Sequence, residues 1–413
     1  MSSIARRNLF EDIPRFLVAQ AGIMFAVSLV TIQTGVLSGF IRSVGTLVDH
    51  ANADIWVANQ DMVQLELTLP MPASHLNLAQ RVPGVERAEP LVMGGGTWRS
   101  PGGEINLVRV FGFEPEGQLF SDFRMTAGSV SNLKQPFTVM VDESTLDSLG
   151  IQQVNDTATL GSLGLKLVGL TQASQSITSS PYLFTSIENA KAFSTSGLTA
   201  SLNCRLQNGE FSCTNVYQKS PDANPASSQP TPLSATDPIS YILVRAKPGE
   251  DIQALKQRLE QALPGTLAVT QAEMASRTRS FWVRRTGVGF ILGLGATVGV
   301  IVGVVIVGQI LYSSVSDHMK EFATLKAMGV SDKVVYGIII RQALWMGLLG
   351  YLPSLALCLG LGAWTFQTQG IMILITPLTA AGVLGLTIFM CVGSAMFAIQ
   401  KITRVDPAIV FKS

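Results

Sequence analysis

The chain reads as a membrane protein with four transmembrane α-helices and a large α+β extracytoplasmic domain inserted between the first helix and the second. Three observations lead there. Four long apolar runs contain no Asp, Glu, Lys, Arg or His, an interval of about 240 residues with ordinary soluble patterning separates the first two runs, and the Lys and Arg of the short segments gather at alternate ends of the runs.

The first run, Phe16 to Ile41, follows a cytoplasmic segment at 1–15. At about 1.5 Å per residue it reaches about 39 Å, enough to cross a hydrocarbon core of about 30 Å with some tilt. The outer domain is expected over 42–281 and the second helix over 282–312, with its apolar core from Gly287 to Tyr312. A cytoplasmic loop at 313–341, a third span at 342–366, a short outer loop at 367–377, a fourth span at 378–399 and a cytoplasmic tail at 400–413 complete the order. Positive residues are retained on the cytoplasmic side. Arg6, Arg7 and Arg15 precede the first span, Lys320, Lys326, Lys333 and Arg341 lie in the 313–341 loop, and Lys401, Arg404 and Lys412 lie in the tail, whereas Gln367 to Pro377 has none. Both termini are therefore expected in the cytoplasm of a multi-pass inner (plasma) membrane protein. Arg284 and Arg285 run against the rule locally, and beside Phe281 and Trp282 they are placed to snorkel to head groups. Arg6-Arg7 and Ala51-x-Ala53 resemble an export signal and its cleavage site, but the apolar run is longer than the 7 to 15 residues of a signal peptide, so the segment reads as an uncleaved anchor.

Within the outer domain, strands are expected at Asp54 to Ala58, Ile105 to Phe113, Thr138 to Val141, Thr157 to Leu160, Lys166 to Leu170 and Ile239 to Ala246. Helices are expected at Leu76 to Arg81 and at Asp251 to Leu263, where Ile252, Leu255, Leu259 and Ala262 share a face. The segment 194–237 differs: it is polar, and Pro221, Pro225, Pro230 and Pro232 crowd its second half, which reads as a flexible loop. In its first half, Asn208-Gly209 is the preferred centre of a two-residue hairpin turn. Counting outward sets Cys204 opposite Cys213 at a non-hydrogen-bonded position, within disulfide range. An oxidising compartment closes that bridge; the alternative is two unpaired thiols in a loop. Cys358 and Cys391 lie within spans and read as packing residues.

Composition and motifs exclude several functions. A net charge of +1 with 14% charged residues gives no footprint for nucleic acid. Spans without ionisable residues argue against ion pumps and proton-coupled transporters. His50, His75 and His318 are far apart in sequence and form no metal-ligand pattern. No Gly-Lys dipeptide occurs, so a phosphate loop is absent, and any ATP that drives the protein binds another chain. Apart from a serine nucleophile assembled from distant residues, catalytic constellations are missing.

Two patterns remain. Val315 to Gly329 reads as an amphipathic helix in which Phe322, Leu325 and Met328 recur every third residue and Gly329 supplies the stop. It either lies on the lipid surface or seats its apolar residues in a groove on a partner protein. In the second span, Gly295, Gly299 and Gly303 recur on one face and admit another helix closely, whether within the subunit or across a dimer.

The stretch KEFATLKAMGVS, followed by an apolar span and a closing VDPA, resembles the FtsX and MacB superfamily of ABC transporter permeases. More narrowly, RFLVAQAGIMFAVSLVTIQTGV with ADIWV, SDHMKEFATLKAMG and LTIFMCVGSAMFAIQKITRVDPAIVF resemble DevC-type permeases. The likeness covers both membrane portions strongly and the outer domain loosely; the Cys hairpin and Pro-rich stretch look like an insertion. The resemblance implies an export permease working as a dimer of two copies, each with a separate ABC ATPase that holds ATP and magnesium, while this chain holds no cofactor. It implies mechanotransmission of ATPase closure to the outer domain, which acts on a glycolipid-like amphiphile or on a periplasmic adaptor leading to an outer-membrane duct. Lys320, Glu321, Phe322, Leu325, Met328 and Gly329 then belong to the ATPase-coupling segment, and Asp406-Pro407 marks the family's tail. Rival outputs within the same frame are FtsX-like signalling to a cell-wall hydrolase and lipoprotein release.

Overall fold

Each apolar run forms a helix, and each helix overshoots its run. In the computed structural model α1 spans Ile13–Asp49, α6 Val288–Asp317, α7 Asp332–Gln369 and α8 Pro377–Thr403. All four are long and apolar enough to cross a membrane. The structure describes residues 13–195, 198–207, 210–219, 229–317, 324, 328, 330–369 and 373–403. The 37 residues of α1 reach about 55 Å, well beyond a hydrocarbon core of about 30 Å, so its last turns, through Arg42 and Asp49, leave the apolar run. The helix of the second span starts at Val288 rather than at 282. Gly287, with φ +64°, adopts the left-handed conformation that separates it from the preceding helix α5, Gln271–Thr286.

The chain forms two units, 1–40 with 286–413, and 41–285. In the helical unit the core is built from Ile23, Val27 and Val30 of α1, Val307 and Leu311 of α6, Ile339, Ala343 and Met346 of α7, and Met390, Cys391 and Ala395 of α8. Pro353 sits inside α7. The Ser354 hydroxyl, beside it, donates to the carbonyl of Gly350 one turn back and to that of Met24 on α1.

The 41–285 unit is α+β. Its strands are β1 Ile55–Asn59, β2 Met71–Pro72, β3 Val85–Arg99, β4 Ile105–Phe113, β5 Met125–Gly128, β6 Thr138–Asp142, β7 Thr157–Leu160, β8 Leu163–Thr171, β9 Tyr182–Ser186, β10 Leu198–Gln207, β11 Glu210–Lys219, β12 Pro238–Ile239, β13 Tyr241–Ala246 and β14 Thr266–Thr270. Its helices of eight or more residues besides α5 are α2 Ser74–Arg81, α3 Ile187–Thr195 and α4 Ile252–Ala262. Asp251 caps α4 by accepting the amides of Gln253 and Ala254.

Two sheets share one long strand. The first half of β3 pairs with β13, which continues through β1 to β14. From Val92 onward β3 pairs with β4, and pairing then runs β4 to β9, β6, β8, β7 and back to β3 at Trp98 and Arg99. That circuit is a ring of six strands, closed where β7 meets β3. Its interior holds Trp98, Val108, Val110, Val139, Val141, Leu160 and Leu183. The open sheet packs one face against α2 and α4 through Val57, Ile242, Val244, Leu255 and Leu259. Its other face joins an aromatic cluster of Trp56, Tyr241, Phe111, Tyr182 and Phe184. Trp56 and Tyr241 meet edge to face at 5.5 Å, and Phe111 and Tyr182 at 4.9 Å.

Candidate functional site

Within the 41–285 unit the end of α1 and the start of α5 are tied together by two side chains. The Gln271 amide donates to the carbonyls of Val48 at 2.9 Å and Asp49 at 3.0 Å in the last turn of α1, and of Ala51 at 2.8 Å just beyond it. Two turns along α5, Arg279 pairs with Asp49, and its Nε donates to the Ile41 carbonyl at 3.3 Å. The guanidinium seats over Gly45, where an added Cβ would lie 2.7 Å from Nε. Met274 and Ala275 of α5 are buried with Leu47 and Val48 of α1 in one cluster. Thr270 and Glu273 exchange side-chain to backbone bonds, Glu273 accepting the Thr270 amide at 2.8 Å and Thr270 accepting the Glu273 amide at 3.2 Å, a capping box that fixes where α5 begins. The bond from the Lys256 ammonium holds the Glu273 carboxyl below its ordinary range.

A second polar knot holds the 60–70 loop. The Glu66 carboxylate accepts the Tyr182 hydroxyl at 2.5 Å and the Ser179 hydroxyl at 2.7 Å, and pairs with Arg109 at 3.4 Å. Burial, with the Glu66 charge beside it, pushes the Tyr182 phenol well above its ordinary range, so it stays a donor. Burial raises the Tyr241 phenol likewise, and its hydroxyl donates to the Leu65 carbonyl at 2.7 Å. These groups pin backbone and are not arranged around a reacting atom. Among the described residues no group of three His, Cys, Asp or Glu is placed to hold a metal.

In the helical unit the glycine face of α6 is filled by the same chain. A Cβ at Gly295 would lie 2.7 Å from Gln33 Nε2 and one at Gly299 3.1 Å from Val30 Cγ2; one at Gly303 would strike Met390 Sδ and lie 2.9 Å from Ala26 Cβ. The in-chain partners are therefore α1 and α8, so within this chain the face is used for packing inside the subunit. Phe290, Ile291, Leu294, Val298, Ile301 and Val305 of α6 remain exposed. Cys358 and Cys391 are buried free thiols, Cys358 donating weakly to the Ser28 carbonyl and Cys391 packed against Gly347.

The coupling segment lies mostly outside the described residues: Lys320, Glu321, Phe322, Leu325 and Gly329 do, as do His318 and Asp406-Pro407. Met328 is described and exposed, its amide bonded to the Thr324 carbonyl at 3.0 Å. The backbone of β10 and β11 pairs Gln207 with Glu210 and Cys204 with Cys213, the register counted from the turn; the two thiols and Asn208-Gly209 lie outside the described residues. No sequence motif marks Gln271, Arg279 or Gly45. Thr270-x-x-Glu273 was the available signal for the start of α5, but it says nothing of what Gln271 reaches.

Family models match both parts of the chain. Residues 16–262 match the MacB-like periplasmic core domain, and residues 293–407 match the FtsX-like permease C-terminal domain. An uncharacterized ABC transporter permease of Mycobacterium bovis is 23% identical over 403 residues, covering 95% of this chain and 94% of its own. Another, from Methanocaldococcus jannaschii, is 26% identical over 123 residues, covering 29% of this chain and 30% of its own. Among solved structures, the periplasmic region of MacB from Actinobacillus actinomycetemcomitans aligns with 55% of this chain and 92% of its own at 9% identity and a TM-score of 0.36. The extracellular domain of an ABC-type transporter from Gram-positive bacteria aligns with 52% of this chain and 98% of its own at 8% identity and a TM-score of 0.33. The chain is a multi-pass membrane protein with a MacB-like periplasmic domain. It belongs to the ABC transporter permeases of the FtsX/MacB type.

Proposed function

We propose that this permease is the membrane subunit of an export complex, in which a separate ABC ATPase binds ATP and magnesium and this chain transmits the resulting motion to its outer domain. The observation that carries the reading is the clamp: Gln271 and Arg279 join the two chain segments by which the outer domain connects to the spans, so the domain receives them as one strut. A domain entered by two independent tethers would swivel without responding. Spans without ionisable residues support a mechanical route, since an ion gradient has nothing there to act on. In this reading the complex contains a second copy of the chain, both termini face the cytoplasm, and the cargo is a lipid-like or glycolipid amphiphile passed to a periplasmic adaptor and outer-membrane duct.

Affinity purification in mild detergent, with identification of the co-eluting chains, tests the partner class: an ATPase with an adaptor supports export, and a bound hydrolase overturns it in favour of signalling. The coupling segment is tested by Phe322→Asp and Leu325→Asp. A carboxylate forced into an apolar groove costs on the order of several kcal/mol, so the ATPase should dissociate while the permease still inserts. Unchanged assembly and transport in both variants would remove the segment from the contact.

A further inference from the structure

We propose that the outer domain contains a binding site for the hydrocarbon chain of an amphiphile, in a cavity of about 290 Å³ beside β3. Val92 and Gly94 of β3, Val110 of β4, Ala190 and Phe193 of α3, and Leu233 form its apolar wall. Its origin is the point where β3 changes partners. β13 pairs with β3 as far as Leu91, β4 takes over from Val92, and β7 joins only at Trp98 and Arg99. Between them, on the side away from β4, no strand among the described residues pairs with Gly94, Gly95 and Gly96.

The glycines decide where the space is. Gly94 stands opposite Val110, so a side chain at 94 would share the cavity-facing side of the strand. A Cβ added at Gly94 meets nothing within 4 Å, whereas one added at Gly96 would lie 2.6 Å from Leu160 Cδ1. The space is thus open at Gly94 and closed two residues further on.

The chemistry of the rim selects the guest. Ser240 Oγ accepts the Met93 amide at 2.9 Å and donates to the Met93 carbonyl at 3.3 Å. Lys191 Nζ donates to Asp237 Oδ2 at 2.7 Å and to the Pro232 carbonyl at 3.3 Å, and Asp237 also accepts the Ser234 amide at 2.6 Å. Ser240 is thus engaged with backbone and Lys191 with Asp237, whose charges cancel. Water in a cavity needs roughly 2 to 4 polar partners, and apolar cavities of about 150 Å³ stay dry and admit benzene. A space about twice that size takes a segment of hydrocarbon chain, and the Lys191–Asp237 pair in its lining is the charged group that a polar head group would meet.

This assignment rests on the cavity and not on export, and its test needs neither ATP nor a partner protein. The full chain in lipid nanodiscs is photolysed with a diazirine-bearing palmitic acid, and the labelled peptides are mapped. Label is expected in peptides carrying residues 92–95, 190–193 or 237–240, and excess unlabelled palmitate should displace it. Gly94→Leu fills the space and should lower labelling about tenfold; Gly94→Ala, the milder change, should lower it less. Gly164→Leu, placed where an added Cβ also meets nothing within 4 Å, serves as the control and should label like the parent chain. Absence of label from those peptides, label that palmitate does not displace, or undiminished labelling of both Gly94 variants overturns the proposal.

Discussion

The outer domain and the helical unit solve the same problem, fixing one packing arrangement, with opposite chemistry. In the outer domain strand registers are closed into a ring and ion pairs such as Arg279–Asp49, Lys191–Asp237 and Arg109–Glu66 tie loops and helix ends. The helical unit has no ion pair among its described residues. Its ties are glycines that admit a neighbour closely and hydroxyls that donate to another helix's carbonyl, as Ser354 does to Met24 and Ser394 to Val304. Water makes a charged pair inexpensive to form at a surface, so charge serves as a specific tie there. Hydrocarbon makes a lone charge costly, so fit must serve instead.

The largest expected effect tests the ring. Trp98 is fully buried in its interior, and the indole N–H donates to the Leu149 carbonyl at 2.9 Å. Trp98→Ala should cost about 3–5 kcal/mol, seen as a lower denaturant midpoint for the outer domain with membrane insertion retained. A shift below about 1 kcal/mol would mean the ring tolerates a void that a close-packed core does not.

The matching change in the helical unit is Gly303→Leu, which drives a side chain into Met390 and Ala26. Overpacking of this kind costs about 1–3 kcal/mol. Gly293→Leu is its control, since an added Cβ there meets nothing within 4 Å. Thermal unfolding in detergent should separate the two variants; equal midpoints would break the contrast between charge and fit.

A smaller and more local effect is expected at the hairpin. The β10–β11 register sets Cys204 opposite Cys213, and a bridge closing a loop of about ten residues adds roughly 2–3 kcal/mol locally in the chain-entropy model. Mass spectrometry without reduction should find the pair linked in protein from its native compartment. Both thiols reacting with an alkylating agent in intact cells would rule the bridge out.

The two units also differ in how much of them can be read from residues alone. Lipid imposes composition, so four uncharged runs announce four helices, and only their overshoots and the break at Gly287 needed coordinates. In the outer domain, Ile105–Phe113 alternates and is legible as a strand. The 15 residues of β3 are not, because Pro90 and the Gly94-Gly95-Gly96 run erase the period. β9 is buried at all five positions and so shows no alternation, although it is a member of the ring between β4 and β6, parallel to β4. Ring closure depends on pairs far apart in sequence, such as Trp98 with Leu160. The clamp was hidden for a similar reason: a capping box marks the start of α5, but the partners of Gln271 lie some 220 residues earlier. The use of the glycine face was equally hidden, since spacing declares a close approach and not what approaches.

The smallest effect on stability is expected where the effect on function is largest. Arg279 and Asp49 are 30% and 38% exposed, and pairs in that position are worth about 0.2–1 kcal/mol, so Arg279→Ala should move the unfolding midpoint little. It nevertheless removes the tie that holds the end of α1 to α5 at Ile41 and Asp49. Coupling between distant sites requires an element whose equilibrium both sites bias, and the bias is reciprocal. If the clamped pair is that element, a complex reconstituted with its ATPase should lose the response of ATP hydrolysis to an adaptor or amphiphile on the outer side, the ratio of stimulated to basal rate falling toward one. Lys134→Ala is the control, because Lys134 and Glu116 form a more exposed pair, 53% and 78%, that ties no helix to α1. It should match Arg279→Ala in stability and the parent chain in stimulation. Should both variants keep the full stimulated rate, the clamp is a stabilising contact of the outer domain and motion reaches that domain by another route.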